Sequence, residues 1–376
     1  MASSSSSKGV AAAAAAAAAA VADDLPHFID IGVNLSDSMF RGVYNGKTAH
    51  PDDLQRVLAR ARNAGVVKQI VTGGSLAESK EALEICEGEE DLLCTIGCHP
   101  TRSTEFDKHE EGPEAYLQAL SQLIKEHSIV TQGKGKGKGK AVAVGECGLD
   151  YDRLHFCPAD VQKKYFDWQL SLAVKHRLPL FLHSRAAAAD FISILQPRMT
   201  ELSSALSEGA SAPPALPAHL AASESSSSIT EALRVGVVHS FTGSLEEMQE
   251  LVSLGLFIGV NGCSLKTEEN LAVVKAIPLS RLMLETDAPW CDLRPTHASA
   301  KHVAAALDGP VGERFKALYS PPTVKKEKYD PERMVKGRNE PCAIGQVAAV
   351  VAGVKGLEIA EVAGIAERNT RWLFGL

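Results

Sequence analysis

Short apolar runs rich in Val, Ile, Leu and Phe recur along the chain at 28–33, 68–72, 92–97, 141–145, 179–183, 235–239, 256–260 and 281–285. Each has strand length and lacks the helical period. Between them, apolar residues fall at helical spacing over 52–64, 77–87, 114–127, 159–176, 187–195, 245–254 and 268–276. Strands that alternate with helices predict parallel βαβ units, and eight such units predict an α/β fold of the TIM (β/α)8 barrel type rather than an open sheet. The alternative is a doubly wound sheet, which often opens on a glycine-rich turn. No Gly-x-Gly-x-x-Gly follows the first run.

Three segments break this pattern. Residues 1–24 hold a serine run and ten consecutive alanines, the composition of a disordered low-complexity tail. A chloroplast transit peptide is the alternative reading, against which stands the lack of arginine. Residues 131–140 contain a Gly-Lys repeat, and 201–229 are dominated by Ser, Ala and Pro. Both read as low-complexity inserts in a single barrel domain over 27–376. Each precedes a strand, so each is expected on the face opposite the barrel mouth.

Composition narrows the function classes. A net charge of −7 excludes nucleic-acid binding through overall basicity, so any such binding needs a local patch. No apolar run reaches the ~20 residues of a membrane helix. Eight cysteines in 376 residues are not a disulfide framework and point to a reducing compartment; the expected location is the cytoplasm, the nucleus or both, with the chloroplast as alternative. Cys94 and Cys98 are expected to pack, and Cys147 to point away from the mouth. His50, His127, His176 and His302 read as surface residues, and Trp168 and Trp372 as core.

The chemistry-bearing residues share one place. Asn34, His99, Glu146, His183, His239 and Asp287 all fall at C-terminal strand ends, where barrel enzymes build their sites. Two imidazoles and two carboxylates suit Zn²⁺, Mn²⁺ or Mg²⁺. A carboxylate can bridge two cations and an imidazole nitrogen cannot, which makes Glu146, on a central strand, the natural bridge. Two cations so held would supply hydrolytic chemistry at a phosphodiester, and Asp287 suits either a ligand or a base.

Those residues lie in ordered motifs: Asp-Ile-Gly-Val-Asn-Leu at 30–35, Gly-Cys-His-Pro at 97–100, Gly-Glu-Cys-Gly-Leu-Asp at 145–150, Phe-Leu-His-Ser-Arg at 181–185, Val-His-Ser-Phe-Thr-Gly at 238–243, Glu-Thr-Asp-Ala-Pro at 285–289 and Arg-Asn-Glu-Pro at 338–341. The series resembles the TatD family of metal-dependent deoxyribonucleases. The stretches 37–42 and 261–267 resemble its eukaryotic branch. The resemblance covers about residues 27–376 apart from the two inserts. It implies an amidohydrolase-superfamily barrel, two divalent metals, no organic cofactor and DNA as substrate. It makes Glu146 the bridging ligand, His183 and His239 ligands of one metal, Asp287 a ligand of the other and the base, and His99 the neighbour of the substrate phosphate. Hydrolysis from the 3′ end is favoured by the resemblance alone.

One position departs from the family pattern. Where many relatives carry His-x-His after the first strand, this chain has Gly32 and Asn34, so Asn34 is expected to be a weaker ligand through its oxygen. Arg185 and Phe241 each follow a ligand histidine by two residues. Arg185 suits a phosphate, and Phe241 either stacks on a base or roofs the site. The segment 288–341 is long for a loop after a strand and is expected to cover the mouth. Its stretch 321–338 carries six basic residues against three acidic ones, with Lys325, Lys326 and Lys328 as candidate DNA contacts. Rival readings are an amidohydrolase acting on a C–N or lactone bond, and a non-catalytic scaffold in DNA degradation complexes.

Overall fold

A computed structural model describes residues 25–135, 137–207, 211–221, 232–309 and 311–376. The tail at 1–24 and parts of the 131–140 and 201–229 segments lie outside the described residues. Among the rest, eight strands form one sheet in chain order: β1 (Phe28–Val33), β2 (Val66–Val71), β3 (Leu92–Ile96), β4 (Ala141–Asp150), β5 (Leu180–Arg185), β6 (Gly236–Val238), β7 (Phe257–Val260) and β8 (Leu282–Leu284). Each paired neighbour is parallel. The seam between β8 and β1 closes at the C-terminal end, where Asn34 N–H donates to Ala288 O at 2.8 Å and Asp287 N–H to Gly32 O at 2.9 Å. Covered on both faces, strands of a parallel barrel are mostly apolar; β1 and β4 are buried at every residue, Asp30, Glu146 and Asp150 included.

The outer helices are α1 (Leu54–Asn63), α2 (Leu76–Cys86), α3 (Pro113–His127), α4 (Ala159–His176), α5 (Ala188–Leu195), α6 (Leu245–Ser253), α7 (Glu268–Ala276), α8 (Ile344–Lys355) and α9 (Ile359–Phe374). Local chemistry sets their starts. Ser244 and Glu247 form a reciprocal cap on α6, and Thr267 and Asn270 do the same on α7, satisfying N–H groups that the helix itself cannot. At the closed end of the barrel, Asn369 Nδ2 donates to Leu279 O and Leu282 O at 2.9 and 2.8 Å, pinning α9 under β8. Among the described residues no single helix is long and apolar enough to cross a membrane.

Met199–Ser207, which runs into the 201–229 segment, is a helix that buries Leu202 and Leu206. In the 131–140 segment, Lys140 is buried, with its ammonium on the carbonyls of Glu89 and Leu92; a lysine in a Gly-Lys repeat can still be a structural donor. The segment 288–341 is not a plain cover for the mouth. It forms the helices Ala300–Asp308 and Gly312–Tyr319 and a short parallel pair, Thr323–Val324 with Met334–Val335. Its apolar Phe315, Tyr319, Met334 and Val335 are buried, and Tyr319 packs edge-on against Phe28, where β1 begins. The segment therefore reaches down the barrel wall. His50 is buried rather than on the surface, stacked on Tyr329 and bonded to Tyr44 Oη. Cys94 and Cys98 are buried, as expected, and Cys147 is buried too.

A candidate metal centre at the barrel mouth

The C-terminal strand ends open into a cleft of about 710 Å³ lined by Asn34, His99, Glu146, His183, His239 and Asp287 among others. All six sequence candidates at strand ends thus converge. β4 runs on through Asp150 instead of stopping at 145, and it carries Glu146 into the centre. Phe181 and His183 lie two residues apart on β5 and share a face. The Phe181 ring stacks on His239 with centroids 4.4 Å apart and forms the floor.

Three imidazole nitrogens surround one carboxylate oxygen. Glu146 Oε1 lies 2.7 Å from His239 Nε2, 2.9 Å from His183 Nδ1 and 3.4 Å from His99 Nε2. His99, Glu146 and His183 offer ligand atoms close enough to hold one cation. Behind the histidines stand two more carboxylates: Asp150 Oδ2 is 3.4 Å from His183 Nε2, and Glu285 Oε2 is 3.4 Å from His239 Nδ1. Glu285 is held in turn by the Ser240 amide and by Asn261 Nδ2. Carboxylates in this position orient ligand imidazoles and raise their basicity.

Burial and charge act against each other here. Burial works to raise the Glu146 carboxyl, but His239, His99 and the hydrogen bonds from His183 and His239 hold it well below the usual range. Burial works to lower His239, yet Glu146 and Glu285 hold it well above an ordinary histidine. His183 is also raised, because the Asp150 and Glu146 hydrogen bonds outweigh its burial. Burial pushes His99 down to about 4 and Asp287 up to about 6. The site therefore gathers imidazole nitrogens and carboxylates around one buried anion. That donor set, with ligand atoms within reach of one cation, suits a divalent ion, so the residues present fit a metal.

Asn34 lies beside Asp287. Its Nδ2 donates to Asp287 Oδ1 at 2.9 Å, so the amide braces Asp287 and its oxygen is not the atom turned toward it. The glycine at 32 also has a physical cause: a Cβ there would stand 2.6 Å from Glu285 Oε2 and 3.2 Å from the Phe181 ring. The Glu285 carboxylate occupies the space that a histidine at 32 would need.

Arg185 lines the cleft, and its buried Nε has no partner among the described residues. Phe241 is buried in the wall of a neighbouring pocket that Arg185 also borders, away from the histidines. Lys325, Lys326 and Lys328 lie off the cleft, on and beside a short turn; the Lys326 ammonium sits over the Tyr44 ring. Arg338, counted with them as loop charge, is wholly buried between Asp53 and Glu340. Cations that do line the cleft are Arg102, Arg153, Arg185 and Lys266, and Trp290 stands exposed among them. Asp150 was legible by alternation, since it lies four residues beyond Glu146 on the same strand.

Asp30 gives the site a pH signature. Burial, helped by Glu285, pushes it up to about 8 against the Thr286 hydrogen bonds that lower it. Its oxygens accept from the Thr286 amide at 3.0 Å and the Thr286 hydroxyl at 2.5 Å, beside Asp287. The folded state thus holds a proton that the unfolded chain loses near pH 4, and stability falls as pH rises from about 4 through about 8. Asp30→Asn, neutral throughout, is expected to flatten this slope in a melting-temperature series. An unchanged slope would show that Asp30 is ionised in the fold.

The TatD-related DNase family model matches residues 29–375. A deoxyribonuclease Tat-D of Schizosaccharomyces pombe is 44% identical, covering 89% of this chain and 91% of its own. A 3′-5′ ssDNA/RNA exonuclease TatD of Erwinia tasmaniensis is 30% identical over 92% of this chain and 99% of its own. A solved structure described as an uncharacterized amidohydrolase from Saccharomyces cerevisiae superposes with a TM-score of 0.75 at 37% identity, covering 92% of this chain and 99% of that one. With the barrel, the convergent histidines and a family match over nearly the whole length, the chain belongs to the TatD-related DNase family.

Proposed function

We propose that this chain hydrolyses phosphodiester bonds of single-stranded DNA from the 3′ end, using two divalent cations held in the cleft. The observation that carries the reading is the convergence of three imidazole nitrogens on Glu146 Oε1, with Asp287 in the same cleft. The names of the S. pombe and E. tasmaniensis relatives support the substrate and the polarity. Glu146, His183 and His239 would hold one cation, and Glu146 with Asp287 the other. Bound cations supply Lewis acidity and neutralise charge at the phosphoryl group.

The remaining roles belong to the chain. The Thr101 amide donates to His99 Nδ1 at 3.1 Å, which leaves the proton of the neutral ring on Nε2. That N–H faces Glu146 and is placed to donate to a phosphoryl oxygen. Asp287, pushed up to about 6, is ionised at neutral pH and still basic enough to take a proton from the attacking water. Arg185 and Arg153 bind flanking phosphates, and the exposed Trp290 ring offers a stacking face to a base.

Oligonucleotides blocked at one end or the other, with Mg²⁺ or Mn²⁺, test this directly. The free 3′ end is expected to shorten and the 3′-blocked strand to resist. Small amides and lactones run beside them: turnover of those alone would overturn the nuclease reading. Bound metal without turnover of any substrate would favour a scaffold.

A further inference from the structure

Six of the eight cysteines are buried, and the other two, Cys263 and Cys291, face each other on the cleft wall. Their sulfurs are 2.6 Å apart. They come from different strands' loops: Cys263 from the turn Gly262–Leu265 after β7, and Cys291 from the loop after β8, four residues beyond Asp287. Gly262 makes the meeting possible, because a Cβ there would stand 1.9 Å from Cys291 O. The second thiol also touches the metal site, with Cys291 Sγ donating to Asp287 Oδ2 at 3.2 Å.

We propose that Cys263 and Cys291 form a reversible disulfide that lowers the activity of the cleft through Asp287. A disulfide needs about 2.0 Å between sulfurs, so the pair closes with a shift of about half an ångström. The oxidant is a hydroperoxide. Cys263 sulfur attacks one peroxide oxygen, the O–O bond breaks, and a sulfenic acid and water result. Cys291 sulfur then attacks the Cys263 sulfur and a second water leaves. Two thiols and one hydrogen peroxide give one disulfide and two waters. A dithiol reductant reverses the change by exchange. Once oxidised, Cys291 has no S–H to offer, and the Asp287 carboxylate loses that donor.

The inference rests on the placement of Asp287 in the cleft, and its first readout is independent of any nuclease activity. The full chain, reduced and freed of reductant, is titrated with hydrogen peroxide and digested without reduction for mass spectrometry. A linked Cys263–Cys291 peptide is expected, with the six buried thiols unmodified and the link lost on adding dithiothreitol. Both thiols remaining free, or oxidising separately to sulfinic acids, would overturn the proposal. The second readout is turnover of single-stranded DNA with Mg²⁺. It is expected to fall about fivefold on oxidation, the scale of one lost hydrogen bond, and to recover with dithiothreitol. Cys263→Ser should show no dithiothreitol-reversible loss under the same peroxide. A link that forms with turnover unchanged would overturn the control through Asp287.

Discussion

Glu146→Ala is expected to remove metal from the cleft and to lower turnover by more than about 100-fold, beyond the 10–100-fold typical of a residue that stands behind a ligand. Its Oε1 is the atom on which His99, His183 and His239 converge. Without it the imidazoles lose the carboxylate that raises them, and the cleft loses its central anionic donor. Asn34→Ala should be milder, within that 10–100-fold range, because Asn34 braces Asp287 through its amide hydrogen. Elemental analysis decides the first expectation. Equal metal content in wild type and Glu146→Ala would overturn the assignment of Glu146.

Arg338→Met is expected to cost about 3–5 kcal/mol of stability and to lower the melting temperature by about 5 °C. Arg338 is fully buried. Nη1 and Nη2 each donate to an Asp53 oxygen at 2.7 Å, Nη1 reaches Met39 O at 3.0 Å, and Nη2 reaches Glu340 at 2.8 Å. Removing the guanidinium leaves Asp53 buried with only the more distant Arg60, 3.9 Å away. Glu340 keeps Arg60 at 2.7 Å. Arg338→Lys should fall between, since an ammonium cannot serve both Asp53 oxygens as a fork. A double variant with Asp53→Asn should be less destabilised than the sum of the singles. Thermal unfolding of the four proteins checks this, and additive losses would show that the pair is not coupled.

The barrel was legible because parallel strands buried on both faces are unbroken apolar runs. The convergence at the cleft was legible because strand direction puts residues such as His183 and His239 at one end. What stayed hidden depends on partners far away in sequence. Arg338 counts as loop charge until Asp53, 285 positions away, is seen beside it. Glu285 acquires meaning only when its carboxylate is found over Gly32. The helices within 288–341 were missed because polar residues surround short apolar stretches, and only packing against Phe28 and its neighbours makes Phe315 and Tyr319 core. The Cys263–Cys291 contact, 28 positions apart across two loops, has no periodic signal at all.

If the cleft around Glu146 is a divalent-metal centre for phosphodiester hydrolysis, turnover must follow the metal. The most direct test strips wild type and Glu146→Ala with a chelator, returns Mn²⁺ to each, and follows cleavage of a labelled single-stranded oligonucleotide. Wild type should be inert when stripped and regain turnover as Mn²⁺ is added, while Glu146→Ala stays inert throughout. Cleavage by the stripped wild type, or full recovery of the variant with Mn²⁺, would show that the cleft does not work through a metal held by Glu146.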